Sequence, residues 1–146
     1  MALMHGACRF GLWWVEVAWT GTTVHRIRFS RSATEAPVPE AIRRYLRGQG
    51  TDLSGLATPA TDEGAPYAAI YRAVRGVPYG STRTYAEIAR AAGTHPRVVG
   101  TAMRRNPVPL VIPCHRIVAS DGIGGFSPDI AIKEALLALE RKKRIF

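Results

Sequence analysis

The chain has 146 residues and a net charge of +9, which is enough length for one domain with a real core or for two small domains. No apolar run approaches the ~20 residues of a membrane-spanning helix, and the N-terminus lacks the basic region and apolar stretch of a signal peptide. The chain has two cysteines, too few for a disulfide framework. These features favour a cytoplasmic protein with a reactive thiol and exclude a membrane protein.

The positive charge is concentrated in the second half of the chain. Residues 1–64 carry seven Lys or Arg and six Asp or Glu, whereas residues 65–146 carry thirteen and five, so the halves have net charges of +1 and +8. Such asymmetry indicates a polyanionic partner, and we favour nucleic acid because no basic amphipathic helix carries an aromatic face. Residues 49–65 are rich in Gly, Thr, Pro and Asp and are typical of a linker. The predicted domains are therefore residues 1–64 and 65–146.

The first half is predicted to be a small β-rich domain. Residues 8–19 are rich in aromatic and β-branched side chains and predict one strand, and residues 23–29 alternate and predict a second. A Thr-Gly-Thr turn between them predicts a hairpin. A short helix is predicted between Pro37 and Gly48, with apolar residues at helical spacing.

The second half is predicted to be mostly helical, beginning with a helix from Pro66 to Gly76. Thr84 with Glu87 three residues later forms a capping box, which predicts a helix over residues 85–92. Another helix is predicted over residues 96–105. Two short helices joined by a Gly-containing turn predict a DNA-binding helix-turn-helix, although many such pairs serve only packing.

The last predicted helix runs from Asp129 or Ile130 to about Lys143, with Ile132, Leu136 and Leu139 facing inward. The sequence therefore predicts an α+β protein. It combines a small β-rich N-terminal domain with a mostly helical C-terminal domain that carries a winged-helix-like helix-turn-helix.

The candidate chemistry lies in Pro113-Cys114-His115-Arg116, between apolar, β-branched runs. A thiol beside a proton acceptor and a positive charge is expected to have a pKa below its free value of about 8.5 and to expose the nucleophilic thiolate. Pro113 fixes a backbone angle just before the sulfur. A buried, unreactive core thiol is the alternative, and these four residues alone leave both readings open.

Four motifs in order decide between these readings. Residues 97–100 are Arg-Val-Val-Gly on a helix, residues 106–107 an Asn-Pro turn, residues 113–116 a Pro-Cys-His-Arg strand, and residues 124–127 a Gly-Gly-Phe-Ser loop. Their order and spacing resemble the O6-alkylguanine-DNA alkyltransferase family over roughly residues 66–140. The resemblance implies direct DNA repair, in which a flipped-out O6-alkylguanine gives its alkyl group irreversibly to Cys114.

The resemblance also implies a role for each matching residue. Cys114 is the nucleophile, His115 relays its proton through a bound water, and Glu140 orients the histidine. Tyr85 crowds the phosphate and donates a proton to guanine N3, and Asn106 ties the helix to the active-site strand. The implied DNA-contacting residues are Arg97, a finger that fills the gap in the base stack, together with Tyr85, Thr84, Arg104 and Ser120. The implied pocket residues are Met103, Pro109, Ile117, Ile123, Phe126 and Ser127.

No cofactor is predicted, because the alkyl transfer that the resemblance implies needs none. His5, Cys8 and His25 match no standard zinc spacing, and a fourth ligand is not evident, so no metal site is predicted either. The expected partner is double-stranded DNA containing O6-alkylguanine, bound by a monomer. Two other functions are considered. A DNA-binding damage sensor is disfavoured because relatives of that kind replace the active-site cysteine, which is present here as Cys114. A Cys-His-acid hydrolase would leave the basic helix-turn-helix unexplained.

Overall fold

A computed structural model describes residues 2–144 of the chain. It confirms the α+β class, with an antiparallel sheet followed by helices. Two compact units are present: one holds the residues up to Pro59 together with 107–111, and the other holds 60–106 together with the residues from Ile112 onward. The division of the chain into independent domains after residue 64 remains a prediction.

The first unit is built on a three-stranded antiparallel sheet in the order β1-β2-β3, with β1 at Met4–Phe10, β2 at Trp13–Thr20 and β3 at Thr23–Ser30. The prediction of one strand over residues 8–19 is wrong. Gly11, with a φ of 61°, turns the chain between β1 and β2. A single glycine inside an aromatic run is a weak turn signal. The sequence pattern therefore predicted a two-stranded hairpin where the structure has a three-stranded meander.

The predicted linker contributes to this sheet. The amide of Val24 on β3 donates to the Ala57 carbonyl at 2.8 Å, and the Ala57 amide donates to the Thr22 carbonyl at 2.8 Å. Leu53 and Leu56 are buried. The short helix is α1, at Glu40–Leu46. A segment rich in turn-forming residues therefore supplies an edge interaction and core side chains, which composition alone does not reveal.

The second unit contains four helices and a small parallel sheet among its described residues. The helices are α2 (Ala68–Arg75), α3 (Tyr85–Ala92), α4 (Pro96–Arg104) and α5 (Ile130–Arg144), and the strands are β4 (Arg83–Thr84) and β5 (Ile117–Val118). Helix α2 begins two residues later than predicted, because Tyr67 adopts a left-handed φ of 60° that a continuing helix cannot contain. No helix in the described part of the chain is long and apolar enough to cross a membrane.

The helix-turn-helix is formed by α3 and α4. The predicted capping box is present: the Glu87 amide donates to Thr84 Oγ1 at 3.1 Å, and the Thr84 amide donates to Glu87 Oε1 at 3.0 Å. Gly93, with a φ of 70°, ends α3. Helix α4 begins after His95, whose Nδ1 accepts a hydrogen bond from the Arg97 amide at 3.1 Å. Local sequence signals thus set both ends of the turn.

The β4–β5 pair positions the start of α3. Arg83 pairs with Ile117 and Thr84 with Val118, in parallel. Tyr85 follows β4 directly, and the Cys114–Arg116 turn directly precedes β5. The sheet therefore brings the start of α3 beside the cysteine motif. Strands of two residues have no usable periodicity, which is why the sequence did not predict them.

Candidate active site

The cysteine motif forms a 3₁₀ turn over Cys114–Arg116, and its prediction as a strand is wrong. Pro113, with φ and ψ of −77° and 67°, bends the chain before the sulfur, and the Arg116 amide donates back to the Pro113 carbonyl at 2.9 Å. The extended backbone resumes only at Ile117. The turn directs three consecutive side chains into the interior, which a strand with alternating faces would not do.

Helix α5 brings a carboxylate to this turn. Glu140 is 1% exposed, and its Oε2 atom lies 2.7 Å from Nε2 of His115, which is equally buried. The Gly80 amide donates to Glu140 Oε1 at 2.9 Å. The structure thus brings together two residues that are 25 positions apart and that the resemblance had paired.

Arg116 completes the carboxylate's surroundings, and the sequence reasoning missed it. Its Nε donates to Glu140 Oε1 and its Nη2 to Glu140 Oε2, each at 2.9 Å, while Nη1 donates to the Val77 carbonyl at 2.9 Å. The guanidinium also lies 5.6 Å from the ring centroid of Tyr79. A signal was available, because an arginine inside an apolar run requires a buried counter-charge. Glu140 lies on the inward face of the last helix and supplies that charge.

These contacts decide the protonation of His115. The Glu140 carboxylate receives hydrogen bonds from Arg116 and Gly80, which are donors only, so it is ionised and acts as an acceptor toward His115 as well. Nε2 of His115 therefore carries the hydrogen, and Nδ1 is the basic nitrogen. Burial lowers the pKa of His115, against the opposing influence of Glu140, so the ring is a neutral base.

Cys114 is held as a thiol. Burial raises its pKa to about 11, against the hydrogen bond of Asn106 and the charge of Lys133, both of which lower it. The predicted lowering of this pKa is therefore wrong, since the pKa is raised in this structure. The reason is that the adjacent imidazole is neutral and the adjacent guanidinium is paired with Glu140, so neither compensates the loss of water around a thiolate.

Lys133 is a second residue that the sequence reasoning missed. It is 0% exposed on α5, and its Nζ donates to the Ile117 carbonyl at 2.6 Å and to the Gly125 carbonyl at 3.2 Å. Burial lowers its pKa to about 8, and the charge of Cys114 opposes this effect. Its position seven residues before Glu140 places both on one helix face, which was a readable signal. The interior therefore holds a cation that favours a thiolate.

Asn106, at the end of α4, connects the helix to the cysteine motif. Its Nδ2 donates to the Ile112 carbonyl at 2.8 Å, two residues before the sulfur. A side-chain hydrogen bond from Asn106 also reaches Cys114 and lowers its pKa. The tie between helix and active-site segment that the resemblance implied is therefore present as a hydrogen bond.

Tyr85, the first residue of α3, is half-buried beside the Gly124-Gly125 segment. Burial raises its pKa, a backbone hydrogen bond from Gly125 lowers it, and the charge of Cys114 raises it further. The net effect is a raised pKa, so the phenol is protonated at neutral pH.

The residues expected to line the pocket are distributed unevenly. Ile117 is fully buried, Phe126 and Met103 are half-buried, and Ser127 and Ile123 are exposed. Pro109 belongs to the first unit. The role of these residues in a pocket remains a prediction.

The residues expected to contact DNA lie mainly at the surface. Arg97, Arg104 and Ser120 are exposed, and Arg97 is the second residue of α4. Arg104 donates to the Thr101 hydroxyl at 3.2 Å. Thr84 is half-buried, and its hydroxyl takes part in the capping box. The exposed arginines of α4 are available to an anionic partner, and their contacts with DNA remain predictions.

Comparison with known proteins shows which family this site resembles. Residues 65–142 match the model of the 6-O-methylguanine DNA methyltransferase, DNA binding domain. A methylated-DNA–protein-cysteine methyltransferase of Methanopyrus kandleri is 43% identical over 99 residues, 68% of this chain and 75% of that protein. One from Saccharolobus islandicus is 47% identical over 74 residues, which are 51% of this chain and 49% of that protein.

Solved structures extend the similarity to nearly the whole chain. Mycobacterium tuberculosis OGT in complex with DNA superposes with a TM-score of 0.79 at 26% identity, covering 95% of this chain and 93% of that one. The O6-methylguanine-DNA methyltransferase of Pyrococcus kodakaraensis superposes with a TM-score of 0.72 at 30% identity, covering 95% and 99%. The similarity therefore includes the N-terminal region, where sequence motifs are weak.

Proposed function

This chain belongs to the 6-O-methylguanine DNA methyltransferase family, and we propose that it repairs DNA by moving the alkyl group of O6-alkylguanine to the sulfur of Cys114. The observation that carries this proposal is the buried series Cys114, His115, Glu140 and Arg116 beside a helix-turn-helix. A nucleophile, a neutral base, an orienting carboxylate and a surface for DNA are the parts that such a transfer requires.

The chemical step is a displacement at the alkyl carbon. A bond forms between the Cys114 sulfur and that carbon while the carbon's bond to O6 breaks, and the electron pair of the broken bond stays on the guanine. The sulfur's proton passes to Nδ1 of His115, and Glu140 stabilises the imidazolium that results. The thioether formed is stable and no later step regenerates the thiol, so each molecule acts once.

Because the pKa of Cys114 is raised, the thiol has to lose its proton during the reaction and not before it. With a pKa of about 11, only about one thiol in ten thousand is ionised at pH 7. Nucleophilicity therefore depends on removal of the proton as the substrate arrives, and the buried charge of Lys133 favours the thiolate at that moment. This arrangement keeps the sulfur unreactive toward other electrophiles while no lesion is bound.

DNA is the partner of this family's binding domain, and we propose that the specific ligand is duplex DNA with an O6-alkylated guanine. A buried sulfur cannot reach O6 in line while the base is stacked, so the nucleotide has to rotate out of the helix. Arg97, exposed in the first turn of α4, is suited to occupy the vacated position, and Tyr85 is suited to donate a proton to the guanine. A monomeric state and a cytoplasmic location on the nucleoid remain predictions.

The test is intact-mass measurement after the protein is mixed with a duplex that carries one O6-methylguanine. We expect a gain of one methyl group that saturates at one per molecule, and no gain in the Cys114→Ser variant. The Cys8→Ser variant is the matched control, because Cys8 is also buried but lies in the first unit, and it should methylate like the wild type. Lesion binding without a mass gain would reject transfer and favour a damage sensor.

A further inference from the structure

Tyr85 and the loop before Phe126 fit together at one glycine. A Cβ atom placed on Gly124 would lie 2.8 Å from the Tyr85 hydroxyl oxygen and 3.1 Å from Cε2 of its ring. The same atom would lie 3.3 Å from the backbone nitrogen of Ala119. The missing side chain at position 124 therefore creates the recess that holds the tyrosine hydroxyl.

A backbone hydrogen bond from the neighbouring glycine, Gly125, also acts on the pKa of the Tyr85 hydroxyl. Burial is the largest influence on the pKa of Tyr85 and raises it, while the hydrogen bond from the Gly125 backbone opposes that increase. The charge that a Cys114 thiolate would carry also raises this pKa. Tyr85 therefore stays protonated at neutral pH, and the recess at Gly124 is what sets the position of its hydroxyl.

We propose that Gly124 is a positioning residue for alkyl transfer, because its lack of a side chain lets the Tyr85 hydroxyl lie where it can donate a proton to the guanine. This inference rests on the proposed function and adds to it a determinant on the loop. A side chain at position 124 displaces the tyrosine ring. The hydrogen bonds between His115, Arg116 and Glu140 involve no loop residue and are preserved.

The proton balance of the step defines what is lost. As sulfur bonds to the alkyl carbon, the electron pair of the broken O6–carbon bond moves onto the guanine, and Tyr85 supplies a proton to the ring nitrogen N3. The phenolate regains a proton from the imidazolium of His115, directly or through solvent after the base leaves. A displaced hydroxyl leaves the developing negative charge on guanine without its proton donor.

The experiment measures the transfer rate to a saturating single-stranded oligonucleotide that carries one O6-methylguanine. A single-stranded base needs no extrusion from a duplex, so the rate reports the chemical step. Gly124→Ala should slow transfer by about tenfold or more in the wild-type background, as expected for loss of an acid catalyst. In the Tyr85→Phe background the same change should cost less than about twofold, because that ring carries no proton to position.

Gly124 itself has a φ of 79°, which a residue with a side chain adopts only with strain, so two other glycines provide controls for backbone strain. Gly64 has a φ of 86° with open space around its Cβ position, and Gly122 lies in the same loop with open space. Gly64→Ala should lose stability and Gly122→Ala should not, and both should transfer at the wild-type rate. An equal loss for Gly124→Ala in both tyrosine backgrounds, or a wild-type rate, would overturn the inference.

Folding supplies a second measurement. If Gly124→Ala does not fold, recovery of a cooperative thermal transition in the Tyr85→Ala background supports the contact, and unfolding in both backgrounds overturns it. If the wild type itself gains no methyl group, the proposed function fails. A methylating wild type with an unaffected Gly124→Ala variant rejects only the role of the glycine.

Discussion

Replacement of Glu140 by Gln should both destabilise the protein and stop the proton relay. The carboxylate accepts from Gly80, Arg116 and His115, and it is the counter-charge of an arginine side chain that is 10% exposed. Gln keeps the shape but removes the charge, and its NH₂ group faces a donor on one side. Breaking a buried ion pair by neutralising one partner costs about 3–5 kcal/mol in free energy of unfolding.

The effect on transfer follows from the histidine tautomer. A Gln amide can donate to Nε2 of His115, which then places the hydrogen on Nδ1 and removes the base that receives the proton of Cys114. We therefore expect Glu140→Gln to transfer methyl groups roughly 10²–10⁴-fold more slowly. Urea denaturation gives the free energy of unfolding, and single-turnover mass measurement gives the rate for the folded fraction.

Glu134→Gln is the matched control, because Glu134 lies on the same helix and is exposed. It should change the free energy of unfolding by less than about 0.5 kcal/mol and leave the rate unchanged. A Glu140→Gln variant that resembled this control in both measurements would refute the reasoning. Loss of stability without loss of rate would show that Glu140 serves the fold alone.

Three further changes test separate parts of the site. Lys133→Met should slow transfer roughly tenfold, because removal of a buried cation raises the pKa of Cys114, whereas the exposed Lys142→Met should have no effect in the same mass assay. The difference in unfolding free energy between wild type and Cys114→Ser should fall by about 2–3 kcal/mol between pH 9 and 11. A raised thiol pKa gives stability that is present below pH 9 and lost as the pH passes 11. The lowered pKa of Lys133 changes stability with pH in the opposite direction, but Lys133 is present in both proteins, so its effect cancels in the difference. A difference that stayed constant with pH in urea denaturation would contradict this prediction. Thr84→Ala should cost about 1 kcal/mol in thermal unfolding through loss of the capping box, and a cost no larger than that of the exposed Thr82→Ala would argue against the cap.

The sequence by itself determined what depends on neighbours within a few residues. The capping box of Thr84 and Glu87 and the left-handed stop at Gly93 define α3, since both act through local hydrogen bonds and backbone freedom. The cysteine motif indicated a nucleophile, and the resemblance paired His115 with Glu140. The meander was missed because one glycine in an aromatic run gives too little signal for a turn.

Only the tertiary structure decided the environment of the nucleophile. The sequence places a base and a cation next to Cys114, yet the fold pairs Arg116 with Glu140 and buries the sulfur, so desolvation raises the thiol pKa instead of lowering it. Lys133 reaches the cysteine motif from α5 and lies 19 positions after Cys114 in the chain. The two-residue β4–β5 pair brings the start of α3, with Tyr85, beside the same motif. Burial and long-range charge depend on what surrounds a group in space, and adjacency in sequence carries no record of that.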